Sequence, residues 1–204
     1  MLTKIAVFVS GGGTNLQALI DAQNDGIIKS GEIALVLSSN PMAYALQRAA
    51  NADIPYAVVS RKECADLAEF EEKIIAKLDE YGIDMIVLAG FMSILSENFT
   101  KKYEKRIINV HPSLIPAFCG KDYYGLRVHE AALARGVKVT GATVHYVNEI
   151  PDGGEIILQK SVAIIKDDTA ESLQKRVMKN AEWIILPRAC EMVAKTLLKN
   201  KKEK

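Results

Sequence analysis

The sequence predicts a single α/β domain built on an open, mostly parallel, twisted sheet with helices on both faces. Three observations support this fold class. Short apolar runs rich in strand-forming residues alternate with helix-like patterns through the first half of the chain. The run at 84–89 is almost wholly apolar, as expected of a central strand that is covered on both faces. Polar or glycine-rich segments directly follow several strands, and ligands usually bind at the carboxyl ends of strands in such a sheet.

A glycine loop follows the first predicted strand, which spans residues 4–9. Three consecutive glycines at 11–13 let the backbone approach a ligand closely, and the free amides of the helix that follows favour an anion. Thr14 or Asn15 adds a hydroxyl or amide contact to a phosphate. The loop equally fits a simple turn in which Asn15 caps the helix. It is not a Walker A loop, because no Gly-Lys-Ser/Thr follows it. It is not a GxGxxG fingerprint either, since position 16 is Leu, which argues against a dehydrogenase.

Strands and helices continue to alternate after the glycine loop, up to residue 110. Exposed-looking apolar residues follow the central strand at 91–95 and would suit a planar aromatic ligand; the alternative is a loop tucked under the next helix. The remaining predicted elements of this half are strands at 32–37, 56–59 and 106–110 and helices at 43–52, 67–80 and 97–105.

The strand at 106–110 leads into the polar pair Asn109 and His111, which point to one side of an extended backbone. Pro112 and Pro116 then enforce a rigid loop. An amide donor and an imidazole on one face suit polarising a carbonyl and moving a proton. A hydrogen-bonded structural histidine is the alternative.

The rest of the chain predicts a loop at 117–122, a helix at 123–135, strands at 138–147 and 155–162, and a helical segment at 169–199 broken at Pro187. His145 is interpreted as a buried, hydrogen-bonded ring, and Glu182 by default as an exposed helical charge. Asp152 fits two roles. It caps its own turn, or it lies beside His111 and raises the pKa of that ring.

Composition excludes several classes of function. Lys and Arg number 26 against 25 Asp and Glu, so the net charge of +1 favours neither nucleic acid nor an acidic membrane surface. Three widely spaced cysteines and three histidines indicate no disulfide framework and no dedicated metal site. The absence of a long apolar run and of a signal peptide predicts a cytoplasmic protein.

Five motifs resemble those of the folate-dependent formyltransferase family, which includes methionyl-tRNA formyltransferase and formyltetrahydrofolate deformylase. They are SGGGTN at 10–15, LAGFMSIL at 88–95, INVHPSLIP at 108–116, TVHYV at 143–147 and DGG at 152–154. The glycine loop and the chain length point to the branch that acts on glycinamide ribonucleotide in purine synthesis. The resemblance implies a Rossmann-like domain over 1–204, with a nucleotide-binding half at 1–105 and a catalytic, folate-binding half at 106–204.

The resemblance also assigns a reaction and its residues. A formyl group moves from 10-formyltetrahydrofolate, a co-substrate, to the amine of 5-phosphoribosylglycinamide, without a metal. Small molecules are thus the expected partners, in a monomer or homodimer. A deformylase, in which water attacks, is the runner-up, and a regulatory nucleotide-binding domain is a third alternative. The implied catalytic residues are Asn109, His111 and Asp152, which stabilise the tetrahedral intermediate and shuttle the proton, with Asp152 keeping His111 charged. The residues implied to hold the ribonucleotide are Gly13, Thr14, Asn15 and Glu182. The residues implied to hold the folate are Met92, Ser93, Ile94, Leu95, Asn109, Asn148, Glu149, Ile150, Pro151 and Asp152.

Overall fold

The computed structural model describes residues 2–202 and contains one seven-stranded sheet with the strand order β3-β2-β1-β4-β5-β6-β7. Strands β1 to β5 run parallel, whereas β6 is antiparallel to β5 and β7 is antiparallel to β6. The predicted mostly parallel α/β sheet is therefore confirmed. The strands are β1 Thr3–Val9, β2 Gly31–Ser38, β3 Tyr56–Val58, β4 Met85–Leu88, β5 Ile107–His111, β6 Val139–Tyr146 and β7 Ile156–Ala163.

Helices cover the sheet on both faces because the central strands are apolar on both sides. Every residue of β4 is buried, and alternate residues of β1 enter two separate cores. Ile5 and Val7 pack in one core, and Ala6 and Phe8 pack in the other. The helices are α1 Thr14–Asn24, α2 Tyr44–Asn51, α3 Leu67–Tyr81, α4 Glu97–Lys102, α5 Leu126–Arg135, α6 Ala170–Val177 and α7 Trp183–Lys202, with a 3-10 turn at Arg61–Glu63.

Three features of the predicted helices are wrong. The helix predicted at 97–105 ends at Lys102. Helix α5 begins at Leu126 instead of residue 123, because Gly120, Asp122 and Gly125 adopt positive φ angles that keep the preceding segment out of a helix. The C-terminal helical segment is not broken at Pro187. The irregularity lies earlier, in a π-helical turn at Met178–Glu182, and α7 continues through Pro187.

The order of the strands determines where the loops meet. Strands β1, β4 and β5 are adjacent and parallel, so the segments that follow them lie at one edge of the sheet. The glycine loop follows β1, the segment 89–96 follows β4, and His111 ends β5. Within residues 2–202, no helix has the length and apolar character of a membrane span.

Candidate active site

Four polar side chains share one face of the sheet where β5 and β6 pair. In the antiparallel register Asn109 lies opposite His145, and His111 lies opposite Thr143. Asn109 and His111 are two residues apart on one strand and therefore project to the same side, as the sequence predicts. His111 and His145 are only 4% and 2% exposed.

Asp152 reaches this face from the turn between β6 and β7. The turn starts beside the opposite end of β5, where Val147 N donates to Ile107 O at 3.0 Å. It folds back so that Asp152 Oδ2 lies 3.4 Å from His111 Nδ1, and Oδ1 lies 3.5 Å from His145 Nε2. The structure thus brings Asn109, His111 and Asp152 together.

The local sequence allows this fold-back because Asp tolerates the left-handed conformation and glycines follow it. Asp152 has φ 56°, in a region open mainly to Gly, Asn and Asp. A Cβ on Gly154 would lie 1.7 Å from Tyr146 O, which is impossible without moving the backbone. The turn is closed by Gly153 N, which donates to Ile150 O at 2.9 Å, so the Asp152 carboxylate is free to face the histidines.

The electrostatics of the His111 and Asp152 pair differ from the sequence expectation. Burial lowers the pKa of His111 below its ordinary value, although Asp152 and the Phe118 carbonyl oppose this shift. Asp152 does raise the pKa of His111, as expected from the sequence, but burial has the larger effect and the net pKa is lowered. Burial would also raise the pKa of Asp152, but His145, His111 and the Gly120 amide outweigh it and hold that pKa below its usual range. Near pH 7 the site contains a neutral imidazole beside a carboxylate.

His145 orients Asn109. Its Nδ1 lies 2.8 Å from Tyr146 O, and because a carbonyl only accepts, Nδ1 carries the hydrogen. In the neutral ring Nε2 then accepts from Asn109 Nδ2 at 3.2 Å. The interpretation of His145 as a buried, hydrogen-bonded ring fits this geometry, yet the ring also contacts two of the predicted catalytic residues. The antiparallel register of β5 and β6 places it there, and no single segment of the sequence specifies that register.

The glycine loop begins α1 without a side-chain cap. Gly13 is the N-cap residue with φ 71°, and a Cβ there would meet Ala45 Cβ at 2.7 Å. The alternative in which Asn15 caps the helix is wrong, because Asn15 Nδ2 donates to Glu182 Oε2 at 2.8 Å instead. The amides of the first turn, including that of Thr14, are left for an anion.

Glu182 is not the exposed charge expected by default. It lies in the π-helical turn before α7 and is 6% exposed. Burial raises its pKa to about 7, and the hydrogen bond from Asn15 only partly opposes this. Asn15 Oδ1 is buried and has no hydrogen-bond partner among the described residues. This junction of loop and helix therefore presents a carboxyl group and an unpaired acceptor side by side.

Two residues near the loop were missed by sequence reasoning. Arg48 Nε donates to Gly12 O at 2.9 Å and so holds the loop from α2. Ser10 Oγ accepts from Met92 N at 3.0 Å and joins the segments after β1 and β4. Ser10 opens the SGGGTN motif, but no sequence pattern predicts its contact or that of Arg48, because both contacts depend on how distant elements pack.

The predicted folate segments lie after β4 and in the β6–β7 turn. Met92, Ile94 and Ile150 are strongly exposed for apolar residues, at 59%, 75% and 57%. Leu95 is buried, whereas Ser93 and Asn148 are half-buried and Glu149 and Pro151 are exposed. Exposed apolar groups in two segments beside a polar centre suit an organic ring. Within residues 2–202, no group of three or more His, Cys, Asp or Glu side chains is arranged to hold a metal ion.

The fold and the site together define a class of protein. A helix start without a side-chain cap and a His–Asp pair lie at one edge of the sheet, an arrangement that suits an anionic substrate and a proton transfer. The family model described as formyl transferase matches residues 3–190, and the chain belongs to this family.

Several named proteins and solved structures are similar to this chain over most of its length. The phosphoribosylglycinamide formyltransferase of Haemophilus influenzae is 42% identical over 91% of this chain and 84% of its own length. The human trifunctional purine biosynthetic protein adenosine-3 is 43% identical over 94% of this chain, which spans only 18% of that longer protein. The crystal structure of glycinamide ribonucleotide transformylase 1 from Symbiobacterium toebii matches with a TM-score of 0.89 and 37% identity over 96% of this chain and 89% of that one.

Proposed function

We propose that the protein transfers the formyl group of 10-formyltetrahydrofolate to the amine of 5-phosphoribosylglycinamide, a step of purine synthesis. The observation that carries the proposal is the arrangement of one sheet edge, where an anion-binding loop and the pair of His111 and Asp152 follow adjacent parallel strands. The names of the similar proteins from Haemophilus influenzae and Symbiobacterium toebii support the choice of substrates.

The ribonucleotide would bind at the loop through its phosphate and at Glu182 through its ribose. The uncapped amides after Gly13 suit a phosphate group. A ribose hydroxyl can donate to the Glu182 carboxylate and to the unpaired Oδ1 of Asn15, and so satisfy an acceptor that has no partner within the described residues. Thr14 adds a hydroxyl donor at the start of the helix.

The folate would place its pterin ring between the two exposed apolar segments, 92–95 and 148–152. Backbone donors and acceptors in these segments would recognise the ring, while Met92, Ile94 and Ile150 supply apolar contact. The formyl group would then lie beside Asn109 and His111, which belong to the strand between the two segments.

The proposed reaction steps follow from the protonation states of His111 and Asp152. The substrate amine attacks the formyl carbon, and a new carbon–nitrogen bond forms. Asn109 Nδ2 gives one hydrogen to His145 and has a second for the developing oxyanion. Neutral His111 takes a proton from the amine, Asp152 stabilises the imidazolium, and the proton passes to the folate nitrogen as its bond to carbon breaks.

The test follows formyl loss from 10-formyltetrahydrofolate by absorbance, with and without the ribonucleotide. We expect loss only when the ribonucleotide is present, together with formylated ribonucleotide as product. Equal loss in the absence of ribonucleotide would identify a hydrolase instead. No loss in either reaction would exclude both enzymes and leave a regulatory nucleotide-binding domain.

A further inference from the structure

The segment 117–120 touches both members of the His–Asp pair through its main chain. His111 Nε2 lies 2.8 Å from Phe118 O, and Gly120 N donates to Asp152 Oδ2 at 2.8 Å. One segment thus supplies an acceptor to the histidine and a donor to the carboxylate. The Phe118 side chain takes no part in either hydrogen bond, and Gly120 has no side chain.

The Phe118 contact determines which ring nitrogen carries the hydrogen. A carbonyl oxygen only accepts, so His111 must donate from Nε2. In the neutral ring Nδ1 is then unprotonated and holds a free lone pair. This is the nitrogen that faces Asp152 Oδ2 at 3.4 Å. Two acceptors therefore lie side by side, so a primary amine placed beside the pair can donate one hydrogen to each.

The conformation of Phe118 is unusual and is held by its neighbours. Its φ of 51° lies in the left-handed region, which a bulky residue rarely adopts. Ser113 Oγ donates to Ala117 O at 2.5 Å, and Cys119 Sγ donates to Pro116 O at 3.3 Å, which fixes the chain on either side. Left-handed backbone at such a residue persists only where the surroundings enforce it, and it is found most often at functional sites.

We propose that the main-chain carbonyl of Phe118 is a positioning group for formyl transfer: it fixes His111 as the Nε2–H tautomer and leaves Nδ1 as the nitrogen that takes the proton of the substrate amine. The Gly120 amide holds the Asp152 carboxylate against the same nitrogen. The role of Nδ1 in transfer rests on the proposed function, whereas the tautomer of the free protein does not.

The chain contains an internal reference for the tautomer. It has three histidines, and His145 donates from Nδ1 to Tyr146 O, so its ring is the opposite tautomer. His129 is fully buried, and neither of its ring nitrogens has a partner within the described residues. The ring signals can be assigned with His129→Leu and His145→Gln variants, leaving His111 as the third.

The test is long-range nitrogen–proton NMR of the histidine rings in the free, full-length protein at pH 8. We expect the Nε2–H pattern for His111 and the Nδ1–H pattern for His145. An Nδ1–H pattern, or a mixture of tautomers, for His111 would overturn the proposal. The measurement uses no substrate, so its result stands even if the transferase assay fails.

Two matched variants test the origin of the effect. Phe118→Asn and Phe118→Val both remove the ring, but Asn tolerates the left-handed conformation and the β-branched Val does not. We expect the Asn variant to keep the Nε2–H pattern. The Val variant should show mixed tautomers and a lower His111 titration midpoint, because the carbonyl contact raises the pKa of that ring. Unchanged His129 and His145 signals would show that each variant is folded.

Steady-state kinetics then distinguish a loss of His111 positioning from a general loss of structure. The Val variant should lose about tenfold in kcat relative to the Asn variant, since the proton acceptor is no longer held in place. The KM for the ribonucleotide should stay the same, because the glycine loop follows a different strand. Equal kcat values for the two variants, with equal tautomer patterns, would overturn the positioning role of Phe118.

Discussion

The contact between Asn15 and Glu182 shows how single residues couple the glycine loop to the last helix. The two side chains meet at 2.8 Å although they lie near opposite ends of the chain. Glu182 is buried, and within residues 2–202 no cation forms a salt bridge with it, so the folded protein favours its neutral form and its pKa rises from 4.5 to about 7. This residue should therefore make folding depend on pH.

Glu182→Gln should stabilise the protein at pH 8 and change it least near pH 4. The pKa of Glu182 is higher in the folded protein than in the unfolded chain. The stability that the neutral carboxyl contributes is therefore fully present below the unfolded pKa of 4.5, and it is lost as the pH rises through about 7. The shift corresponds to ~3 kcal/mol, or roughly 6–12 °C in Tm for a chain of this size. Thermal unfolding at pH 4, 6 and 8 measures it.

Glu191→Gln is the matched control for that measurement. Its carboxylate accepts from Lys29 N, Ser30 N and Ser30 Oγ, and these hydrogen bonds outweigh burial and lower its pKa. The Gln variant at this position should lose stability at pH 8. If both variants move Tm in the same direction at pH 8, the account of Glu182 is wrong.

Sequence reasoning reached some of these residues and not others. The spacing of Asn109 and His111 on one strand already places them on one face, because strand periodicity is local. The contact of Asn15 with Glu182, and that of His111 with Phe118 O, depends on how distant elements pack. Local patterns contain no such information, so Glu182 was expected to be exposed.

At the scale of elements, the β6–β7 turn is the structure that delivers Asp152. Its path over the sheet face requires a left-handed Asp152 and a close approach of Gly154 to Tyr146 O. The DGG motif is visible in the sequence, but the direction of the turn is not, since it depends on the antiparallel β6. The predicted break at Pro187 was wrong, because the irregularity of the C-terminal helical segment is the π-helical turn at Met178–Glu182 and α7 continues through Pro187.

Gly154→Ala should displace Asp152 and impair the enzyme. An added Cβ would overlap Tyr146 O at 1.7 Å, so the turn must move. We expect kcat to fall by about 10²-fold, because a shift of about 1 Å in a catalytic group has that effect. Steady-state kinetics with both substrates measures it.

The control for the turn is Gly26→Ala. Gly26 also has a positive φ, at 69°, but a Cβ there meets nothing within 4 Å. This variant should lose only about 1 kcal/mol of stability from backbone strain and keep its kcat. A Gly154→Ala enzyme as active as the Gly26→Ala enzyme would show that the turn need not hold Asp152 in this position.

At the scale of the whole molecule, two buried groups oppose each other in their effect on stability. Burial lowers the pKa of His129 from 6.5 to about 4, with a smaller effect from His111. The stability that neutral His129 contributes is fully present above the unfolded pKa of 6.5, and it is lost as the pH falls towards about 4. The stability contributed by Glu182 changes with pH in the opposite direction, so the two contributions offset each other between about pH 4.5 and 6.5.

Removing one group should therefore reveal the other. His129→Leu should make the protein lose stability as the pH rises from 4.5 to 7, whereas Glu182→Gln should make it gain stability from 4.5 to 6.5. The double variant should restore the profile of the parent. Urea unfolding across this range tests the prediction, and parallel profiles for the two single variants would contradict it.

The fold as a whole was the most predictable level. Alternating strands and helices, with an apolar central strand, define an open parallel sheet through local patterns alone. The edge at which the glycine loop, the β4 segment and His111 meet follows from that sheet. The internal arrangement of the site required the register of β5 with β6, which no single segment specifies.

The most direct test of the account follows an isotope-labelled formyl group from 10-formyltetrahydrofolate by mass spectrometry, with the parent protein and His111→Asn. The account predicts that the label appears on the amine of 5-phosphoribosylglycinamide, and that His111→Asn slows this transfer by at least about 10²-fold while the KM for the ribonucleotide is unchanged. Label released as formate without the ribonucleotide, or undiminished turnover by His111→Asn, would contradict it.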